Sequence, residues 1–254
     1  LTLGASIAYT KSKQKGGFFG QVQSFTTQFG RTLIGGRSWN IPGFPSQDRA
    51  GRPLAFIAGQ YTNPIWGAYH NTITTLDDRI VANFRASYKF NNWVTVNYNF
   101  GANNSRVSRD EIIDEFSPGV GNGLGQITED AFRNLEIQST LIAVFTPKIG
   151  KDWSLDFKLG SDFNQRTSRR QANRGTDLIV PNIFSLTNTV TKTFLADSRG
   201  KRRLVGTFAD ASLGYKNFAF LNVTARNDRT STLPYKNASY YYPGVSGSLV
   251  WTDA

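Results

Sequence analysis

The chain has 254 residues, a formal net charge of +11, 13% aromatic residues, one histidine, and neither cysteine nor methionine. This composition excludes a disordered chain, a disulfide framework and a thiolate metal site. No apolar run approaches the roughly 20 residues a transmembrane helix needs, but a transmembrane β-strand needs only about 9–11. The basic balance fits nucleic acid, a basic lumen or a surface on anionic lipid, so the placement of the charges has to decide. The sequence opens on Leu1 inside an apolar alternation, with no signal peptide or initiator methionine. The expectation is an internal piece of a longer polypeptide, or a mature chain.

In chain order, the first predicted strand covers 1–10. The stretch 11–75 follows, with Phe18, Phe19, Phe25, Phe29, Trp39, Phe44, Phe56, Tyr61, Trp66 and Tyr69. It is too apolar for an idle loop. It either packs on itself or meets a ligand or lid protein through rings such as Trp39, Phe44, Trp66 and Tyr69, since aromatic faces suit sugar rings and interface hot spots. His70 is the single histidine, so neither a Ser-His-Asp triad nor a multi-His metal site can be built readily, and it reads as a plain loop residue.

Period two then takes over. Over 80–90, Ile80, Ala82, Phe84, Ala86, Tyr88 and Phe90 alternate with Val81, Asn83, Arg85, Ser87 and Lys89. An "NN" turn leads to 93–103, where Val94, Val96, Tyr98 and Phe100 alternate with Thr95, Asn97 and Asn99. The stretch 104–132 reads as a polar loop. Its acids Asp110, Glu111, Asp114 and Glu115 could do acid–base work or bind calcium, but fit a solvated loop or short helix better. Its "GVGNGLG" (119–125) has neither GxGxxG spacing nor a GK[ST] ending, and reads as a loop tip.

Strands over 134–146 and 153–164 are joined by "PKIGKD". In the second, Trp153, Leu155, Phe157, Leu159 and Phe163 alternate with Ser154, Asp156, Lys158, Gly160 and Asp162. The stretch 165–200 is predicted as a long loop carrying "RTSRRQANR" (166–174). It lacks the interleaved aromatics that stack on bases, so Arg169 and Arg170 are candidates for anionic lipopolysaccharide, an acidic substrate or a partner protein. Strands over 202–215 and 218–227, joined by "KN", a connection over 229–238 and a last strand over 239–252 complete the chain.

Long strands, tight turns at one end and long connections at the other describe an antiparallel transmembrane β-barrel. Tyr88, Phe90, Trp93, Phe145, Trp153, Tyr215, Phe218 and Phe220 gather at the tight turns, as rings do at a membrane interface. Tyr240, Tyr241 and Tyr242 would form the opposite girdle. A soluble β-sandwich also alternates, but has shorter strands and no such asymmetry; a basic nucleic-acid-binding sandwich is the least supported class.

The residues Ala225-Arg226-Asn227-Asp228, Ser231-Thr232-Leu233-Pro234 and Ser239-Tyr240-Tyr241-Tyr242-Pro243, with Val245-Ser246, resemble the late-barrel segment of SusC/RagA-family TonB-dependent outer-membrane transporters of Bacteroidetes. Arg229 departs from the tryptophan common there. "NPIWGAY" (63–69) and "DDRIVANFRASYKFNNWVTVNYNFG" (77–101) are similar to preceding barrel strands of that family. The resemblance implies a central-to-late segment of one barrel domain over 1–254, with the plug domain and further strands outside this chain. It also implies import of an oligosaccharide or peptide, a SusD-like surface lipoprotein as cap, TonB acting through the plug, and no catalysis, cofactor or nucleic acid. The alternative is a small closed eight-stranded outer-membrane barrel with an adhesin or structural role.

On the barrel reading, Ala82, Phe84, Ala86, Val96, Tyr98, Leu155, Phe157, Leu159, Leu221 and Val223 face lipid. Arg85, Lys89, Asn97, Asn99, Asp156, Lys158 and Asp162 face the lumen, because an Arg or Lys at mid-membrane costs about 2–4 kcal/mol. Turns 91–92, 147–152 and 216–217 would be periplasmic. The stretches 11–75, 104–132, 165–200 and 229–238 would be extracellular.

Overall fold

The period-two segments form strands in the computed structural model, which describes residues 1–18, 28–54, 57, 63–117, 123–216 and 218–251. The strands are β1 (Thr2–Gly17), β2 (Thr72–Lys89), β3 (Val94–Ile113), β4 (Gln126–Phe145), β5 (Trp153–Leu178), β6 (Thr189–Tyr215), β7 (Ala219–Thr230) and β8 (Ser239–Leu249). Two short helices, α1 (Gln28–Ile34) and α2 (Pro64–His70), lie between β1 and β2. The chain is all-β: one antiparallel eight-stranded barrel segment whose strands stand in chain order. Among the described residues β1 pairs only with β2, and β8 only with β7. The sheet is open, so these eight strands do not close on one another as the small-barrel alternative requires.

The strands run well past the boundaries that alternation predicts. Residues 104–113 and 126–132 extend β3 and β4, and 165–178 and 189–200 extend β5 and β6. The long polar loops therefore shrink to 114–125 and 179–188. The "RTSRRQANR" run is strand, not loop, and its backbone is laddered on both sides. Hydropathy misses these extensions because polar side chains outnumber apolar ones on both faces and no sustained alternation shows, while the ladder depends only on backbone pairing.

The short turns are made by local chemistry. Asn91 Oδ1 accepts from Trp93 N at 2.9 Å and Val94 N at 2.8 Å, closing the β2–β3 turn. Lys216 takes a positive φ of 48° at the β6–β7 turn; Asn217 lies outside the described residues. At this end Tyr88 meets Phe90 at the end of β2, and ring contacts run on from strand to strand: Trp93 near Phe145, Phe145 near Phe157, and Trp153 on Tyr215.

Directly opposed residues on neighbouring strands share a face, so the register assigns both faces of the sheet. One face carries Ile7, Ala82, Phe84, Phe100, Leu141, Leu159, Ala209, Leu221, Val223 and Val245. The other carries Arg85, Asn99, Thr140, Asp162, Gly206 and Asp228 in one continuous row from β2 to β7. Nothing among the described residues packs on the apolar face. Ile7, Phe84, Leu141, Leu159, Leu221 and Val245 are exposed, whereas the few buried apolar side chains, such as Trp66, Ile113, Ile127 and Leu178, sit at the long-connection end.

That end is closed by a knot of hydrogen bonds. The Asn63 side chain caps α2 by accepting from Ile65 N at 2.9 Å and Trp66 N at 3.3 Å, with Pro64 in the first turn. Gln28 Nε2 donates to Gly67 O at 2.6 Å and ties α1 to α2. Asn71 Oδ1 accepts from Asp114 N and Ser117 Oγ, each at 2.9 Å, fastening the β1–β2 connection to the end of β3.

Candidate functional site on the polar face

In the half of the sheet nearer the short turns the charged groups stand on the polar face, and strand alternation puts them there. Its centre is Arg226 of β7. The guanidinium donates from Nε to Asp228 Oδ1 at 2.8 Å and from Nη1 to Asp162 Oδ2 at 3.1 Å. It lies 5.7 Å from the Phe208 ring centroid, a cation–π distance. Two glycines make the room. A β-carbon on Gly160 would run into the Phe208 ring, and one on Gly206 would run into Arg226 and Asp228. Here the strand glycines mark close approach of side chains.

Around this node lie further pairs. Lys158 Nζ stands 3.3 Å from Asp156 Oδ1 and 3.7 Å from Asp210 Oδ1. Glu136 Oε1 accepts from Asn164 Nδ2 and Arg166 Nε, both at 2.9 Å. A concavity of about 360 Å³ opens between these groups, lined by Glu136, Gln138, Asp162, Arg166, Arg202 and Arg226. A second, of about 480 Å³, lies beside Asn83, Arg85, Asn99, Gln138 and Thr140. The face offers donors and acceptors at fixed spacing along the strands, a surface that can hydrogen-bond a polar, charged ligand. Among the described residues no group of three or more His, Asp or Glu side chains is arranged to hold a metal ion.

Arg85, Lys89, Asp156, Lys158 and Asp162 all stand on this face, opposite Phe84 and Phe157. The aromatic candidates do not come together. Trp66 is 1% exposed, stacks on His70 with centroids 4.3 Å apart, and donates from Nε1 to Gly51 O at 3.1 Å. Its ring belongs to the interior of the connection, not to a contact surface. Tyr69, one residue before His70, is 78% exposed. Trp39 and Phe44 are half-buried in the segment between the two helices. Phe19, Phe25, Phe56, Tyr61, the side chain of Phe29 and residues 118–122 of the glycine-rich loop tip lie outside the described residues.

His70 is more than a plain loop residue, since its Nδ1 lies 2.8 Å from Asp114 Oδ2 and braces the connection against the end of β3. Arg169 and Arg170 separate: β5 alternation sends them to opposite faces. Arg170 clasps Asp130 with Nη2 at 2.7 Å from Oδ2 and rests over the Phe132 ring. Arg226 and Asp228 entered the sequence analysis only as part of a motif of resemblance, and neither they nor Phe208 and Glu136 were expected on the lumen-facing site. The available signal was positional, because Arg226 and Asp228 share strand parity with each other.

No protein-family model and no curated protein matches the chain, but solved structures do. The RagAB peptide transporter superposes over 96% of this chain with a TM-score of 0.80 at 16% identity. The fold is that of a RagAB segment. The RagAB peptide importer in its "open-open" state also covers 96%, with a TM-score of 0.78 at 16% identity. In its "closed-closed" state it covers 76%, at 0.68 and 13%. The chain spans 28%, 27% and 22% of those three structures.

Proposed function

We propose that residues 1–254 are part of a single β-barrel domain of an outer-membrane, TonB-dependent nutrient importer of the SusC type. The observation that carries this reading is the pairing of the two faces: a broad apolar face on which none of the described residues packs, backed by a face of charged and amide side chains. In water such an apolar expanse would drive association; in a bilayer it is the required outer surface, with the polar set lining a lumen. The RagAB likeness favours peptide over oligosaccharide as cargo. A SusD-like lipoprotein would cap the extracellular mouth, with exposed Tyr69 and half-buried Trp39 and Phe44 on the connection nearest to it. TonB would act through a plug domain. The chain's role is passage without bond chemistry.

The test is uptake by cells lacking the full-length protein. Loss of growth on a peptide mixture, restored by the wild-type gene but not by one lacking its TonB-contacting segment, is the expected result. Undiminished peptide and oligosaccharide uptake in the deletion strain would overturn the proposal.

A further inference from the structure

Four arginines stand directly opposite one another on the apolar side of the sheet: Arg106 faces Arg133, Arg133 faces Arg169, and Arg169 faces Arg199. Like charges directly opposed across strands repel and destabilise a sheet. Among the described residues none of the four is held in an ion pair or hydrogen bond, and Arg169 Nε is buried with no partner. Several arginines of the polar face differ, although among the described residues Arg85 and Arg202 there have no partner either. There Arg109, Arg166, Arg170 and Arg226 each meet a carboxylate.

Acids on the arginine side do not neutralise the row. Asp78, opposite Arg106, accepts from the Tyr9 hydroxyl at 2.7 Å and is flanked by Lys11. Asp197 lies two residues beyond Arg199, while Asp110 and Glu129 face each other further toward the connections. Lys201 and Arg203 continue the positive charge along the same face of β6.

The row has a defined height. At about 3.3 Å per residue and a strand tilt near 40°, it stands roughly 30–40 Å from the aromatic turns. Just below it the same face is still apolar, with Ile7, Ile80, Leu135 and Ile137. The change from apolar to cationic therefore falls where a bilayer's acyl region gives way to headgroups. With strands about 4.8 Å apart, the guanidinium-bearing positions span about 14 Å, room for more than one phosphate. Arginine pairs with phosphate bidentately.

We infer that this arginine row binds the phosphates of an outer-leaflet phosphoglycolipid whose acyl chains lie on the apolar belt beneath. The inference rests on the reading of the apolar face as lipid-facing, and the experiment separates the two. The full-length protein and an R133Q/R169Q/R199Q variant are reconstituted in phosphatidylethanolamine nanodiscs with bisphosphorylated lipid A or its dephosphorylated form. Bound lipid is then counted by native mass spectrometry. Wild type retains the bisphosphorylated form at least tenfold better than the variant does, and K148Q/K151Q, which removes charge at the turn end, behaves as wild type. Equal retention by wild type and variant overturns the inference, as does equal retention of dephosphorylated lipid A. So does loss of a co-purifying protein with lipid A still held, which would assign the row to a protein partner.

A second readout covers the case in which the triple variant fails to fold. Single R169Q should raise the thermal midpoint in uncharged detergent, where repulsion is relieved, and lower it in lipid A bilayers. A shift of the same sign in both media overturns the inference. Independently, a nitroxide at Leu159 reports the face itself. If it is broadened by water-soluble relaxant rather than oxygen, the lipid-facing reading fails; if it lies in lipid while lipid A binding ignores the arginines, only the present inference fails.

Discussion

The ring of Phe208 on β6 occupies the space that a side chain at Gly160 on β5 would fill, and these two residues are directly opposed in the ladder. The glycine is thus the seat of the aromatic floor on which Arg226 rests. Replacing Gly160 by Val should displace the ring and destabilise the folded barrel by about 1–3 kcal/mol, the usual cost of overpacking. The measurement is a urea titration of the full-length protein in bilayers. The effect should largely vanish in a Phe208→Ala background, giving a coupling energy in a double-mutant cycle. Additive losses would show that the pair does not share one space.

Arg226 holds two carboxylates at once, Asp162 from β5 and Asp228 from its own strand. Arg226→Ala leaves both facing each other without a donor, and a loss of about 1–3 kcal/mol is expected from the unmet hydrogen bonds. Arg226→Lys should recover little, because an ammonium lacks the planar fork that reaches both partners. Asp162→Asn with Arg226→Gln should be milder than Arg226→Ala alone. The same urea titration ranks the three variants, and a fully restored lysine variant would contradict the bidentate role.

Much of this arrangement is legible in the chain itself. Over 80–90, 94–102 and 153–163 a strict two-residue period fixes which side chains share a face, and no competing contact alters it. What alternation could not give is strand length. From Arg166 to Arg174 the side chains are polar or small on both faces, so hydropathy carries no signal even though backbone pairing continues. Nor could it give the arginine row, since Arg106, Arg133, Arg169 and Arg199 are aligned only by the register of β3 to β6. Trp66 misled for a different reason: an aromatic ring in a polar connection reads equally as a contact or as a core, and packing on His70 decides for the core.

The two faces predict opposite responses to the same charge. Leu159→Lys places an ammonium on the apolar face, about midway between the aromatic turns and the arginine row, and should cost about 2–4 kcal/mol in a bilayer. Thr140→Lys lies on the polar face opposite Asp162 and should be near neutral. Folding titrations of both variants in phospholipid vesicles give the comparison. Equal costs would show that the faces do not differ in environment.

On the proposed outer-membrane placement, single cysteines report which end of the sheet faces outward. Asn92 sits in the short β2–β3 turn and Val180 in the β5–β6 connection. A membrane-impermeant maleimide added to intact cells should label a cysteine at Val180 and leave one at Asn92 unmodified until the cells are lysed. Val180 is the better outer position than Arg170, because Arg170 is in the β5 ladder and clasps Asp130. Labelling of position 92 alone would invert the topology.

Asn71 carries the attachment of the first long connection to the rest of the sheet. Its side chain is fully buried, and its single oxygen serves both Asp114 N and Ser117 Oγ. Asn71→Ala removes that acceptor and leaves a buried backbone donor unmet, a loss of about 1–3 kcal/mol. Because the strands are long and laddered independently of this contact, the loss should be local. Hydrogen exchange should accelerate by roughly tenfold or more at Asp114 and Ser117 and through α2, since each 1.4 kcal/mol is a factor of ten. The central amides of β4 and β5 should keep their protection. Asn71→Asp retains an acceptor oxygen, so it should preserve protection at Asp114 better than Ala does. A uniform loss of protection across the sheet in Asn71→Ala would show that the connection and the strands open as one unit.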